Sequence, residues 1–136
     1  MDKTKQPGIQ FNGIILVEEE FWRDYDVPED SAVHFNLEAG SVKTPNDYNV
    51  EVNSTLALIK EDKEVLTLRS KFVGFFSIIK EQENMDIEEY IKNNSVALMF
   101  PYIREHISAV TIKSGINPIF LPPINVVALL KKETNK

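Results

Sequence analysis

Residues 94–130, NSVALMFPYIREHISAVTIKSGINPIFLPPINVVALL, decide how the rest of this chain is read. Met99, Ile103, Ile107 and Val110, with Phe100 alongside, recur at the i, i+3/i+4 spacing of a helix with one apolar face. Arg104, Glu105, Ser108 and Lys113 supply the other face. Asn94 or Ser95 offers a cap, which places Pro101 within the second turn or so, tolerated near the first turn and kinking the helix if deeper. Gly115 stops the helix and Pro118 prevents its resumption. Residues 116–123 then read as an extended apolar crossing that ends in Pro122-Pro123, and residues 124–130 as a short final helix before KKETNK. Just upstream, Asp86 with Glu89 three residues on reads as the reciprocal cap of a separate short helix over 86–93. So apolar a stretch needs a partner surface.

Working outward, the preceding residues supply one. Tyr48, Val50, Val52, Leu56 and Leu58 alternate with Asn49, Glu51, Asn53 and Thr55, the period of a half-buried strand. After the polar turn at residues 60–64 the pattern resumes, with Leu66, Leu68, Phe72, Phe76 and Ile78 on one face and Thr67, Arg69, Lys71, Phe75 and Ser77 on the other. The two runs predict a hairpin. Val33, Phe35 and Leu37 alternate with His34, Asn36 and Glu38 as a further strand. At the start, Ile9, Phe11, Ile15 and Val17 fall on one side and Gln10, Asn12, Ile14 and Leu16 on the other, with Gly13 as a candidate bulge. Apolar residues on both sides suggest a strand covered twice, by its own core and by a partner. Strands in series without a helical period between them imply an antiparallel meander. The expected fold is therefore α+β: a four-stranded antiparallel sheet with a long helix and a short C-terminal helix packed on one face, as a single domain over residues 1–136.

Between the first two strands, residues 18–30 hold seven acids against the single Arg23, with Phe21, Trp22 and Tyr25 interleaved. Two readings stand: a solvated connection, or a docking surface for a basic partner with aromatic anchors.

Composition narrows the function. A net charge of −6, with no basic stripe, argues against nucleic-acid binding, which requires clustered Lys and Arg. Without cysteine there is no disulfide framework, no thiol nucleophile and no Cys-ligated zinc. The amino-terminal residues lack the apolar core of a signal peptide, and no run approaches the roughly 20 apolar residues of a membrane span, so a cytoplasmic location and no direct membrane insertion are expected. His34 and His106 lie too far apart for metal-ligand spacing, and each reads as an ordinary structural or surface histidine. No nucleophile elbow, phosphate loop or HExxH is present, and the paired carboxylates sit in exposed-looking runs where nothing would separate their pKa values. No enzyme is expected.

The segment Phe100-Pro101-Tyr102-Ile103-Arg104-Glu105-His106-Ile107-Ser108, followed by the Gly115 stop and by residues 121–129, LPPINVVAL, resembles the SecB family of protein-export chaperones. Residues 74–78, GFFSI, are similar to the family's G-x-F-S-I segment. Val127 stands where the family often has an acid, Ile103 where it often has a small residue, and KKETNK is shorter than its usual tail. The resemblance implies a homo-oligomer, a tetramer built as a dimer of dimers, that holds unfolded preproteins in apolar grooves. It keeps them translocation-competent and passes them to the SecA motor ATPase, using no nucleotide or metal cofactor. By the same resemblance, the client groove falls to Phe21, Trp22, Phe72, Phe75, Phe76, Ile78, Phe120 and Leu121, each with simple core packing as its competing role. Motor docking falls to Glu18, Glu20 and Glu64. An alternative keeps the fold and groove but dedicates them to an antitoxin or another single partner; a small-ligand-binding or enzymatic α+β domain is a further one.

Overall fold

The computed structural model describes residues 8–45, 47–80, 87–119 and 121. Four antiparallel strands, β1 (Gly8–Arg23), β2 (Ala32–Lys43), β3 (Asp47–Lys60) and β4 (Lys63–Lys80), form one sheet in the order β1-β4-β3-β2. Among the described residues one helix, α1 (Ile87–Lys113), packs its buried side chains onto one face. β2, β3 and β4 follow one another as a meander, whereas β1 lies outside it beside β4. The placement follows from the apolar rows: Leu68, Phe72 and Phe76 of β4 face the helix, and Phe21, Leu16 and Phe11 continue those rows as their register partners.

Burial follows the period of two. Tyr48, Val50, Val52, Leu56 and Leu58 on β3, and Leu66, Leu68, Phe72 and Phe76 on β4, are all buried on the helix side. At Gly74 a Cβ would sit 2.7 Å from the Met99 sulfur and 2.8 Å from a Phe76 ring carbon, so this glycine sets the closest approach of α1 to the sheet.

Four readings of the sequence need correction. First, the polar turn is tighter than five residues, because Lys60 pairs with Lys63 and leaves only Glu61 and Asp62 outside the ladder, at φ of 52° and 63°. Two-residue hairpin loops favour such angles because they match strand twist, yet residues with a Cβ adopt them at a cost. Replacing Glu61-Asp62 by Asn-Gly is expected to stabilise the fold by about 1 kcal/mol. An unchanged urea midpoint would show that the loop carries no such strain.

Second, residues 18–23 are strand, not connection. β1 runs to Arg23, with register shifts between Phe11 and Gly13 and between Leu16 and Glu18. The first lies at the expected Gly13 bulge, and it regroups the strand: Phe11, Ile14 and Leu16 pair with Phe76, Gly74 and Phe72 on the helix side, while Ile15 pairs with Val73 on the open face. The second puts Glu18 and Glu20 on the open face, opposite Lys71 and Arg69, and Glu19 and Phe21 on the helix side, opposite Ser70 and Leu68.

Third, the two expected helices over 86–93 and from Ser95 are one. Ser95 is fully buried inside α1 rather than capping it. The stripe of Val96, Met99, Phe100, Ile103, Ile107 and Thr111 is buried throughout, and tertiary burial of that stripe outweighs local cap signals. Pro101 is exposed, as is Ala97 one turn earlier, so the carbonyl that loses its N–H partner lies on the wet side, where water replaces it.

Fourth, the meander is incomplete, as β1 shows. The Gly115 stop stands as expected: its φ is +82°, its N–H donates to Ile112 O at 3.1 Å, and Ser114 N–H donates to Val110 O at 2.9 Å. The Asp86 cap, the Pro122-Pro123 pair and the final helix over 124–130 lie outside the described residues.

Candidate functional site

Two connections meet at one end of the sheet. The crossover over residues 24–31 leaves β1 with Asp24 N–H donating to Val65 O at 2.8 Å, and it closes on Ser31, whose N–H and hydroxyl both donate to Pro28 O. Its acids are put to structural use. Asp30 accepts from Lys60 Nζ at 2.6 Å and Asp24 lies 3.6 Å from Lys63 Nζ, so both lysines flanking the β3–β4 turn hold the crossover. The hydrogen bond from Lys60, reinforced by its charge, lowers the Asp30 carboxyl pKa and raises that of the Lys60 ammonium. Asp30 is exposed and Lys60 partly so, and salt therefore screens the pair.

The second connection follows Gly115. Thr111 Oγ1, buried in the last turn of α1, accepts from Ile119 N–H at 3.1 Å, and the Ser108 hydroxyl donates to Ile119 O at 3.2 Å. The returning chain is thereby laid back along the helix. Between it and the crossover opens a cavity of about 310 Å³. Val27, Val33, Leu58, Ile116 and Ile119 supply the apolar part of its mixed lining, while Tyr25, Asp26, Glu29 and Arg23 bring an aromatic ring, two carboxylates and a guanidinium. Tyr25 is fully exposed at 101%. Its size suits one or two side chains of an extended chain rather than a large cofactor.

The residues expected to line a client groove are not brought together. Phe72, Phe76 and Leu121 are buried in the core, Phe76 stacked on Phe11 at 5.0 Å and Phe72 edge-on to His106. Ile78 is partly buried against the same core. In the single subunit these four serve packing: the helix covers the face that Phe72, Phe76 and Ile78 share on β4, and Leu121 joins the same core from the chain after the helix. Phe21 and Trp22 stay open at 40% and 50%, on opposite faces of β1. Phe75 is half-buried on the open face, some eight residues along β4 from the partner of Trp22, about 26 Å away. Phe120 lies outside the described residues.

Of the acids expected to dock a motor, Glu20 lies 3.7 Å from Arg69, and Glu18 stands across from Lys71, which itself pairs with Glu51 at 3.3 Å. That face therefore carries alternating charges. Glu64 is exposed near the turn, five residues along β4 from Arg69. Glu19, between them on the helix side, meets His106 Nε2 at 2.5 Å and ties β1 to α1.

Sequence reasoning missed the cavity, since its lining comes from three separate stretches. It also missed how much of α1 stays open: Leu98, Tyr102 and Ile112 are 44–56% exposed. On β1 the apolar residues on both sides had pointed to a second covering partner, and Ile15, Leu16 and Val17 are 42–50% exposed. Among the described residues, no group of three or more His, Asp or Glu is placed to hold a metal ion, and no helix is long and apolar enough to cross a membrane.

Comparison with known proteins adds a family. The model described as preprotein translocase subunit SecB matches residues 18–136. An uncharacterised protein of Methanocaldococcus jannaschii is 31% identical over 140 residues, covering 96% of this chain and 87% of that protein. The protein-export protein SecB of Magnetococcus marinus is 26% identical over 106 residues, 77% of this chain and 68% of its own length. Among solved structures, the SecB-like chaperone of Mycobacterium tuberculosis in complex with a ChAD peptide from the HigA1 antitoxin superposes with a TM-score of 0.70. It is 20% identical, over 85% of this chain and 87% of that one, a likeness of fold.

Proposed function

The chain belongs to the SecB family, and from that premise we propose that it is a molecular chaperone that holds unfolded secretory polypeptides and delivers them to a SecA-type motor. The observation that carries the reading is the open cavity of mixed polar and apolar lining between the crossover and the chain after Gly115, with Tyr25 standing fully exposed beside it. An extended polypeptide offers such a site a side chain at every second residue without requiring a particular sequence. Phe21, Trp22 and Phe75 are the outlying apolar contacts for a client that runs beyond the cavity. Glu18 and Glu20, and at a distance Glu64, are the acids available to a basic motor segment.

The remaining open apolar surface belongs to subunit contacts in this reading. Ile15, Leu16 and Val17 of β1 and Leu98 and Tyr102 of α1 are apolar side chains that a monomer would not keep in water in such number. A tetramer assembled as a dimer of dimers covers them, and it acts in the cytoplasm. Native mass spectrometry with and without a permanently unfolded polypeptide is the test. Expected are an oligomer and a discrete mass increment on addition of the polypeptide. A strict monomer that ignores the polypeptide overturns the proposal. Recovery from cells of one small basic DNA-binding protein, in place of preproteins and the motor, assigns the chaperone to a dedicated antitoxin instead.

A further inference from the structure

We infer that Arg23 is the positioning residue of the client cavity, its guanidinium clamping the crossover to the end of α1 and so fixing the width of the opening. The inference deepens the client-holding reading and rests on it. Arg23 is the last residue of β1, where its backbone is paired with Leu66, and its side chain is part-buried in the cavity wall. Nε donates to Asp24 O at 2.8 Å and Nη2 to Tyr25 O at 2.7 Å, gathering the first two carbonyls of the crossover. Nη1 donates to Ser114 O, ninety-one residues away, just past the end of the helix.

The chemistry explains why arginine stands there. Asp24, Asp26 and Glu29 are close in sequence, yet among the described contacts the guanidinium bonds to three main-chain carbonyls and to no carboxylate. A carbonyl at a helix end sits at the negative pole of the helix dipole, where a cation is favoured. Three acceptors in different directions match the planar fork of a guanidinium and not the single nitrogen of a lysine. The other ionic ties of the crossover, Asp30 with Lys60 and Asp24 with Lys63, run to the β3–β4 turn and leave the helix end untouched. Arg23 is thus the described contact through which the two walls of the cavity, the crossover and the chain after Gly115, are held at a set distance.

Arg23→Met and Arg23→Lys decide the matter when compared with the unaltered protein by amide hydrogen exchange and by anisotropy. The anisotropy probe is a dye-labelled, reduced and carboxymethylated protein that cannot refold. Measurements are made well below the melting temperature, so that a merely stabilising role leaves the affinity unmoved. For Arg23→Met, exchange across residues 24–31 and 115–119 is expected to rise about tenfold while that of β3 and β4 stays fixed, and probe affinity to fall about tenfold. Arg23→Lys keeps the charge and is expected to behave like the methionine variant. Full rescue by lysine overturns the clamp in favour of a bare charge at the helix end. Raised exchange with unchanged affinity overturns its role in the cavity. If the unaltered protein fails to bind the probe, the chaperone reading falls on its own, and unchanged exchange in Arg23→Met still overturns the clamp.

Discussion

Replacing Phe76 by alanine is expected to destabilise the protein by about 3–5 kcal/mol, lowering the melting temperature by roughly 10–20 °C at fixed protein concentration. The ring is 1% exposed, stacks on Phe11, and flanks the point where Gly74 admits Met99. Its removal leaves a cavity bounded by three elements, none of which can collapse into it without breaking the β1–β4 register. Phe75→Ala, one residue away on the open face, is the control: its ring is only partly covered, and the expected loss is about 1 kcal/mol. Equal losses in chemical denaturation would contradict the assignment of faces.

The other large effect is on binding. Val33→Asp is expected to weaken the affinity for an unfolded polypeptide by roughly 10–100-fold while leaving the fold within about 1 kcal/mol of its original stability. Val33 is 49% exposed and lines the cavity, so in the free protein an aspartate there stays hydrated. A client side chain entering the cavity strips that hydration; Asp26 and Glu29 offer no compensating charge, and the Arg23 guanidinium is already engaged by three main-chain carbonyls. Val42→Asp, on the open face of the same strand and 57% exposed, changes charge equally but lies away from the cavity. Titration of a labelled client that responds equally to both variants would place the client elsewhere.

Much of the sheet was legible because its signal is periodic. The alternations through 33–37, 48–58 and 66–78 place side chains on faces without reference to anything distant, and burial largely obeys them on β3 and β4, while on β2 Val33 faces the helix side yet stays open at the cavity. The Gly115 stop is legible for the same reason, since an αL residue followed by proline is a local instruction. β1 beyond Val17 was not. Three consecutive glutamates look like a solvated loop, and a bulge that swaps faces leaves no mark in composition. Asn94 and Ser95 misled because a capping sequence also occurs inside a helix whose neighbours bury it. Phe72 and Phe76 show the limit for the site: an aromatic on a strand looks the same whether a helix or a client covers it. The cavity depends on residues 27–33, 58 and 115–119 coming together, and no single stretch encodes it.

The placement of β1 beside β4 also fixes an order in time. Phe11 pairs with Phe76, and Leu16 with Phe72, so the first strand to be synthesised waits for the last one. At 5–20 residues per second, the roughly 65 intervening residues take about 3 to 13 s to add. For that interval the nascent chain carries residues 14–17, Ile-Ile-Leu-Val, with no ladder partner. β2, β3 and β4 close by short turns within the same span, and β1 completes the sheet only after β4 has left the ribosome. During its own synthesis, this protein passes through the condition of the unfolded chains it is proposed to hold.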